Sequence, residues 1–517
     1  MFRKYSKLKT IWSVALSLGL LLGLLSSTGV VQAKSNTLAP LLVAGNTETI
    51  PNQYIVVYKA ESFAIQSEGA IRSSVAAQGG DVKFVYKRAL NGYSAYLPKA
   101  ALAAVRANPA VAYVEADGIV TVGPVDPKQD EADTEIAETG EADAEIIQPG
   151  ATWGLDRIDQ RNLPRSSSYT YNRDGTGVHV YVIDTGIRST HNEFGGRASK
   201  DFDSINDGQN GNDCNGHGTH VAGTIGGATY GVAKNVTLHG VRVLNCAGSG
   251  SWSQVIAGID WVAANHISPA VANMSLGGNG ITTVDTATTN LINSGVVTVV
   301  AAGNSNMNAC LFSPARTPAA ITVGATTSND SRAYFSNFGN CLDIFAPGLN
   351  IASAWNGNDS DLHTISGTSM ASPHVAGVAA LYLEENPAAT VSQVRSVIVN
   401  NSTLNKVKTP GTKSPNKLLH SLFLPIPNQS SPLSVTNDTT PTFKWFAVPG
   451  ATSYRFQVLR SGKTVYTRIV SACADTTCSN TPPKVLTYSN AYRWRIQALV
   501  SGIWQAYSVY RNFEVAP

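Results

Sequence analysis

Apolar and polar positions change their period several times along this chain. From about residue 50 to 122 short period-two alternations interleave with helical spacing. Residues 53–58 read as a strand, and 60–78 as a helix closed by Gly79-Gly80. Residues 82–86 and 93–97 read as strands around an Asn91-Gly92 turn, followed by a helix over 99–107 and a last strand over 111–115. The expectation is a small α+β sandwich. From 151 to about 424 the apolar runs become continuous, at 178–183, 271–275 and 296–300, with helical stretches between them at 253–265 and 284–294. Strands apolar on both faces belong to a parallel sheet covered on both sides. This region is therefore expected to be α/β, a doubly wound parallel sheet. From about 430 to 517 only short alternating strands remain, at 442–445, 454–458 and 492–496. They predict an all-β sandwich of the fibronectin type III or immunoglobulin-like kind.

Two segments fall outside these patterns. Residues 126–148 carry nine acids against the single Lys128, and no aromatic residue. Such a stretch buries too little apolar area to offset its ordering entropy, so it reads as a solvated linker open to proteolysis. At the start, Arg3, Lys4, Lys7 and Lys9 precede an apolar run over 11–25 and the small-residue site Val31-Gln32-Ala33. That is the form of a signal peptide cleaved after Ala33. The run is shorter than the ~20 residues that span a bilayer, and no second run of spanning length follows, so a secreted product without a membrane contact is expected.

Composition narrows the classes. The chain has 517 residues, 43% hydrophobic and 14% charged, with a net charge of +3. A nucleic-acid binder would show a basic stripe or domain, so that class is not expected. The six cysteines, Cys214, Cys246, Cys310, Cys341, Cys473 and Cys478, include no Cys-x-x-Cys pair for zinc and suit disulfides in an exported protein. Spacing leaves their connectivity open, although Cys473 and Cys478 are near enough to close a short loop.

Three segments carry chemistry. Tyr181-Val182-Ile183-Asp184-Thr185-Gly186 places an acid at the C-terminal end of a buried strand, the edge where doubly wound sheets hold their sites. Asn215-Gly216-His217-Gly218-Thr219-His220 opens a small-residue helix, and Gly367-Thr368-Ser369-Met370-Ala371 opens another, with Pro373 expected in its first turn. A serine hydroxyl needs a histidine to take its proton, and the histidine needs a carboxylate to fix its tautomer. A serine at a helix N-terminus also gains N–H donors for an oxyanion. Taken singly, these residues are ordinary turn, cap and structural residues. His220 and His374 read as structural histidines, and His217/His220 lacks the His-Glu-x-x-His zinc pattern.

The order Asp, His, Ser in these contexts resembles the subtilisin superfamily. With Trp153-Gly154-Leu155-Asp156-Arg157-Ile158 it resembles the proteinase K branch, and within it the aqualysin-type extracellular bacterial proteases. The resemblance implies Asp184, His217 and Ser369 as a catalytic triad, with Asn304 as an oxyanion donor. It implies Ser275, Leu276, Gly277, Ala301 and Gly303 as walls of the specificity pocket, and Gly248, Ser249 and Gly250 as an edge pairing with extended substrate. It implies the disulfides Cys214–Cys246 and Cys310–Cys341, and structural calcium at Asp343 with the carbonyls of Pro318 and Ala320, and at Asp156, Asp159 and Gln160. It also makes the N-terminal sandwich an inhibitor-type propeptide. The expected organisation is a signal at 1–33, a propeptide at 34–125, a processing linker at 126–150 with the mature start near Ala151, a peptidase domain at 151–424 and a C-terminal sandwich at 430–517. The resulting expectation is a monomeric serine endopeptidase, made as a self-processed zymogen, acting on proteins and peptides and favouring large apolar residues. An α/β-hydrolase esterase requires an acid and then a histidine after the serine. Only Glu384 and Glu385, on the serine's own helix, stand between Ser369 and His420. A binding module that has lost catalysis would lack a triad or oxyanion residue, and none is missing.

Overall fold

The computed structural model describes residues 38–45, 48–60, 67–122, 146–423 and, with short omissions, 429–516. The signal segment and the linker over 126–145 lie outside the described residues. Among the described residues no helix is long and apolar enough to cross a membrane.

The N-terminal body is an antiparallel sheet in which Thr49–Tyr58 lies between Val111–Thr121 and Gly92–Tyr96, with Asp81–Tyr86 outside. Its strands have two apolar faces. Val56 and Tyr58 pack on the helices Glu68–Ala76 and Lys99–Ala107, while Ile55 and Val57 enter a core shared with Trp252 and Val255. Three expectations change. The first helix starts at Glu68, where Ser67 Oγ accepts the Ala70 amide at 3.2 Å; residues 61–66 lie outside the described residues. Asn91-Gly92 is not a two-residue turn. Gly92 begins its strand, and a Cβ there would come within 2.0 Å of the Val56 carbonyl oxygen, so close approach requires the glycine. The last strand continues to Thr121 because its end pairs with Ser249–Ser251.

The central body, residues 151–423 and hereafter the peptidase body in anticipation of its site, is built on a sheet of nine strands among the described residues. Its parallel core runs Ile344–Pro347, Ile321–Thr326, Val297–Ala301, Ala270–Met274, His179–Asp184, Thr237–Arg242 and Ala198–Asp203. Within His179–Asp184, Val180 and Val182 enter the core containing the helices His217–Gly226 and Thr368–Glu385. Tyr181 and Ile183 enter the opposite core, under Trp252–Asn265 and Thr282–Asn293. This two-sided burial defines a doubly wound sheet.

Pro373 lies in the second turn of Thr368–Glu385, not the first. Its missing N–H would have bonded the Ser369 carbonyl. That carbonyl instead accepts the Ser275 hydroxyl at 2.8 Å, tying the helix to the strand that ends at Met274. The C-terminal region is all-β. A three-stranded sheet around Phe443–Phe446 and a larger one around Ala451–Arg460 and Asn490–Val500 enclose Trp445, Phe456 and Trp494. Disulfides join Cys214 to Cys246, Cys310 to Cys341 and Cys473 to Cys478.

Candidate active site

Asp184 closes its strand and His217 opens its helix, and both are fully buried. His217 Nδ1 donates to Asp184 Oδ1 at 2.7 Å, and the Thr185 amide donates to the same oxygen at 2.8 Å. Among the described residues, Asp184 Oδ2 and His217 Nε2 have no hydrogen-bond partner. With Nδ1 carrying the proton, Nε2 presents a lone pair. Burial pulls the His217 pKa down, but the charge and hydrogen bond of Asp184, with the charge of Asp213, outweigh it and hold it above the ordinary value of 6.5.

Asp213 was not singled out in the sequence, although it lies four residues before His217. Its buried carboxylate accepts the amides of Asn215, Gly216 and Thr219 and the hydroxyls of Thr185 and Thr219. It therefore fixes the turn that aims His217.

Ser369 is the second residue of its helix and 6% exposed. In this state its hydroxyl donates to the Ser275 carbonyl at 3.0 Å and makes no hydrogen bond to His217. Asn304 stands beside it. The Thr368 amide and hydroxyl donate to Asn304 Oδ1 at 2.9 and 2.8 Å. A backbone N–H can be satisfied only by an oxygen here, so the amide orientation is fixed and Nδ2 is left as the free end. Ser275, Leu276, Gly277, Ala301, Gly303 and Ser369 line one cavity of about 430 Å³. His220 donates to the Ile351 carbonyl and His374 to the Met370 carbonyl, and burial lowers their pKa values to about 3 and about 4. Both are structural.

The N-terminal body closes this cleft. Ser249, Gly250 and Ser251 pair antiparallel with Thr121, Val120 and Ile119, and the Val122 amide donates to the Gly248 carbonyl at 2.8 Å. Farther back on the same strand, Glu115 accepts the amides of Thr282 and Thr283 at 3.0 and 2.8 Å, and Asp117 accepts that of Ser253 at 3.1 Å. Two carboxylates thus sit at the N-termini of two peptidase helices, where the helix dipoles favour anions. Burial pushes the Asp117 carboxyl up to about 6. In the reverse sense, Asp260 of the peptidase body accepts the amides of Lys87, Arg88 and Ala89. These anchors were not legible in the sequence because their partners lie more than a hundred residues away.

The two implied cation sites differ. Asp343 already receives the Arg395 guanidinium on Oδ1 and the Thr322 amide on Oδ2. Ala320 and the exposed Pro318 flank the turn before the neighbouring strand. A cation there has to displace Arg395. The second site fits better. Asp159 Oδ1 is buried without a partner among the described residues, and burial, with the charge of Asp156, pushes this carboxyl up to about 7. Asp156 accepts the amides of Ser166 and Ser167, and Gln160 Oε1 also accepts that of Ser166. Two close, buried carboxylates with an unmatched oxygen suit a hard divalent cation.

A doubly wound sheet with a buried Asp–His pair and a helix-borne serine at one cleft defines the protein as a serine protease. The chain matches the family model "Subtilase family" over residues 175–422 and "Peptidase inhibitor I9" over residues 53–122. It is 51% identical over 427 residues to the "Extracellular serine proteinase" of Thermus sp. (strain Rt41A), covering 78% of this chain and 99% of the relative. It is 48% identical over 404 residues to "Alkaline serine exoprotease A" of Vibrio alginolyticus, covering 77% of this chain and 72% of the relative. A solved structure, "Crystal structure of a cold adapted subtilisin-like serine proteinase", shares 57% identity at a TM-score of 0.52, covering 53% of this chain and 99% of that one. The chain belongs to the subtilase family, in a branch similar to the aqualysin-type proteases, and carries an inhibitor-type propeptide.

Proposed function

We propose that this protease is a secreted endopeptidase that works through an acyl-enzyme on Ser369 and is made as a self-processed zymogen. The observation that carries the reading is the strand Val111–Thr121. Its end lies on Ser249–Ser251 as an extended substrate would, and Val122 lines the same cavity as Ser369. His217 Nε2 takes the Ser369 proton as Oγ attacks the scissile carbonyl. The developing oxyanion is received by Asn304 Nδ2 and the Ser369 amide, a first-turn N–H without an intrahelical partner. His217 then gives its proton to the leaving amine, and a water, deprotonated by the same nitrogen, hydrolyses the ester. Asp184 holds the Nδ1–H tautomer and stabilises the imidazolium. A secreted product is supported by the leader sequence and by the extracellular naming of the Thermus relative. The paired sheets around Trp445 and Trp494 support a fibronectin type III-like reading of the C-terminal region.

The test is covalent labelling of the processed enzyme with peptidyl phosphonates that differ in the side chain entering the cavity. One label on Ser369 is expected, fastest with Phe or Leu because glycine and alanine at 277, 278 and 301–303 leave room for a large uncharged side chain. The rate is expected to fall as pH falls through a value above 6.5, since protonated His217 is no base and its pKa is raised. Label on another residue, or a strong preference for Lys, overturns the reading.

Asn304→Ala removes the proposed side-chain oxyanion donor and the acceptor for Thr368. A fall in kcat of about 10²–10³ is expected, with KM little changed, in initial-rate assays on a chromogenic peptide.

Calcium is proposed at Asp156, Asp159 and Gln160, and at Asp343 with the carbonyls of Pro318 and Ala320 once Arg395 has left the carboxylate. It supplies stability and takes no part in the reaction. Chelation is expected to lower the melting temperature, and calcium at a hundredfold excess over Kd to restore about 2.7 kcal/mol. Calorimetry of Asp159→Asn is expected to show a much smaller response.

A further inference from the structure

On the face of the sheet away from the catalytic helices, two imidazoles of neighbouring strands meet. His179 opens the strand His179–Asp184, and His239 lies in Thr237–Arg242, where it pairs in register with Tyr181. His179 and Tyr181 project to the same face, so the two histidines are diagonal neighbours. His179 Nδ1 and His239 Nε2 are 2.9 Å apart. The other nitrogen of His239 is already committed: Nδ1 meets Asp201 Oδ2 at 2.6 Å, and that oxygen also accepts the Ser199 hydroxyl at 2.6 Å. Asp201 falls at a register shift, between Lys200 opposite Gly240 and Phe202 opposite Val241. Such a bulge re-aims a side chain. The His239 ring is further fixed by stacking on Tyr181, with centroids 4.5 Å apart and 13° between planes, and Tyr181 Oη is held by the Ile267 amide at 2.9 Å.

A carboxylate on Nδ1 forces the His239 proton to that nitrogen and leaves an Nε2 lone pair directed at His179. In the metal-free pair His179 Nδ1–H donates to that lone pair, and moving this proton to the ring's Nε2 directs a second lone pair at the same point. Burial and the neighbouring His239 lower the His179 pKa, which favours the neutral ring. Zinc–imidazole bonds of 2.0–2.1 Å in a tetrahedral site place two nitrogens about 3.4 Å apart. The pair needs to open by only about 0.5 Å, and His179, partly exposed at the start of its strand, is the ring that can give. The carboxylate behind one ligand is the usual outer partner of a metal-bound imidazole.

We propose that His179 Nδ1 and His239 Nε2, oriented by Asp201, form a binding site for a divalent transition-metal ion of the zinc class, completed by water. Imidazole donors favour zinc, nickel and copper over calcium, so this site is chemically separate from the calcium positions. Bound metal would clamp two adjacent parallel strands.

The test is titration of the full chain with ZnCl₂, in a Ser369→Ala background that prevents self-digestion. One equivalent bound at this site is expected, with affinity falling at least tenfold in His179→Gln and in His239→Gln. Asp201→Asn is expected to weaken binding by about 10–100-fold while keeping the stoichiometry. Undiminished binding in both histidine variants, or none in the parent, overturns the proposal. Should a histidine variant fail to fold, zinc-edge anomalous diffraction from zinc-soaked crystals of the parent chain decides. A peak between the two rings supports the site, and its absence overturns it.

Discussion

Ser369→Ala is expected to abolish casein hydrolysis and to leave the expressed chain at precursor length. The loss in kcat should be on the order of 10⁶, the size known for nucleophile removal in serine proteases of this class. The substitution is mild for the fold. The Ser369 side chain does not cap its helix, and its single hydrogen bond is to the Ser275 carbonyl. The carbonyl of residue 369 still receives the Ser275 hydroxyl. A folded precursor that unfolds in a single cooperative transition should therefore accompany the loss. Activity in the variant above that of a mock preparation would mean that another residue attacks. A variant that is inactive yet processed would place the maturation cut outside this cleft.

Asp184→Asn is expected to lower kcat by about 10⁴ with a modest change in KM, the scale known for this substitution in serine proteases. Asp184 Oδ1 serves both His217 Nδ1–H and the Thr185 amide. An asparagine facing the imidazole with its NH₂ imposes the wrong tautomer and puts the proton on Nε2. One facing it with its oxygen keeps the tautomer but no longer stabilises the imidazolium. In either case the charge that raises the His217 pKa is lost. The acid limb of the residual activity should therefore move to lower pH. A pH profile separates this outcome from a merely structural defect, which would lower the rate without moving the limb.

The segments carrying Asp184, His217 and Ser369 were legible because each encodes its local geometry: an acid ending an apolar strand, a histidine directly after Gly216 at a helix start, and a serine in the first turn of a helix capped by Gly367. Continuous apolar runs likewise gave the doubly wound sheet, and strict alternation gave the C-terminal strands. What failed to read was what depends on distant partners. Asn91-Gly92 has the form of a turn, but its glycine answers the Val56 carbonyl. Pro373 fits a first turn by propensity, and its place in the second becomes intelligible only with Ser275 beside the helix. The docking strand appeared to end at Glu115, since nothing local announces that Ile119–Thr121 will pair with Ser249–Ser251. Asp213, Glu115, Asp117 and Asp260 are single acids in sequence, and they become anchors only when the backbone amides they hold are brought to them.

The core beneath Trp252–Asn265 and Thr282–Asn293 is a joint possession. Ile55, Tyr86, Leu90 and Val120 of the N-terminal body lie in one apolar cluster with Trp252, Val255, Ile259 and Leu291 of the peptidase. Removing the N-terminal body takes away part of the surface against which those helices are packed. On the proposed maturation, the shortened chain would have to hold those helices in place with fewer apolar neighbours than the precursor had. Its lifetime would then be expected to follow the rate at which it opens, a clock wound once at synthesis, rather than the depth of a reversible equilibrium.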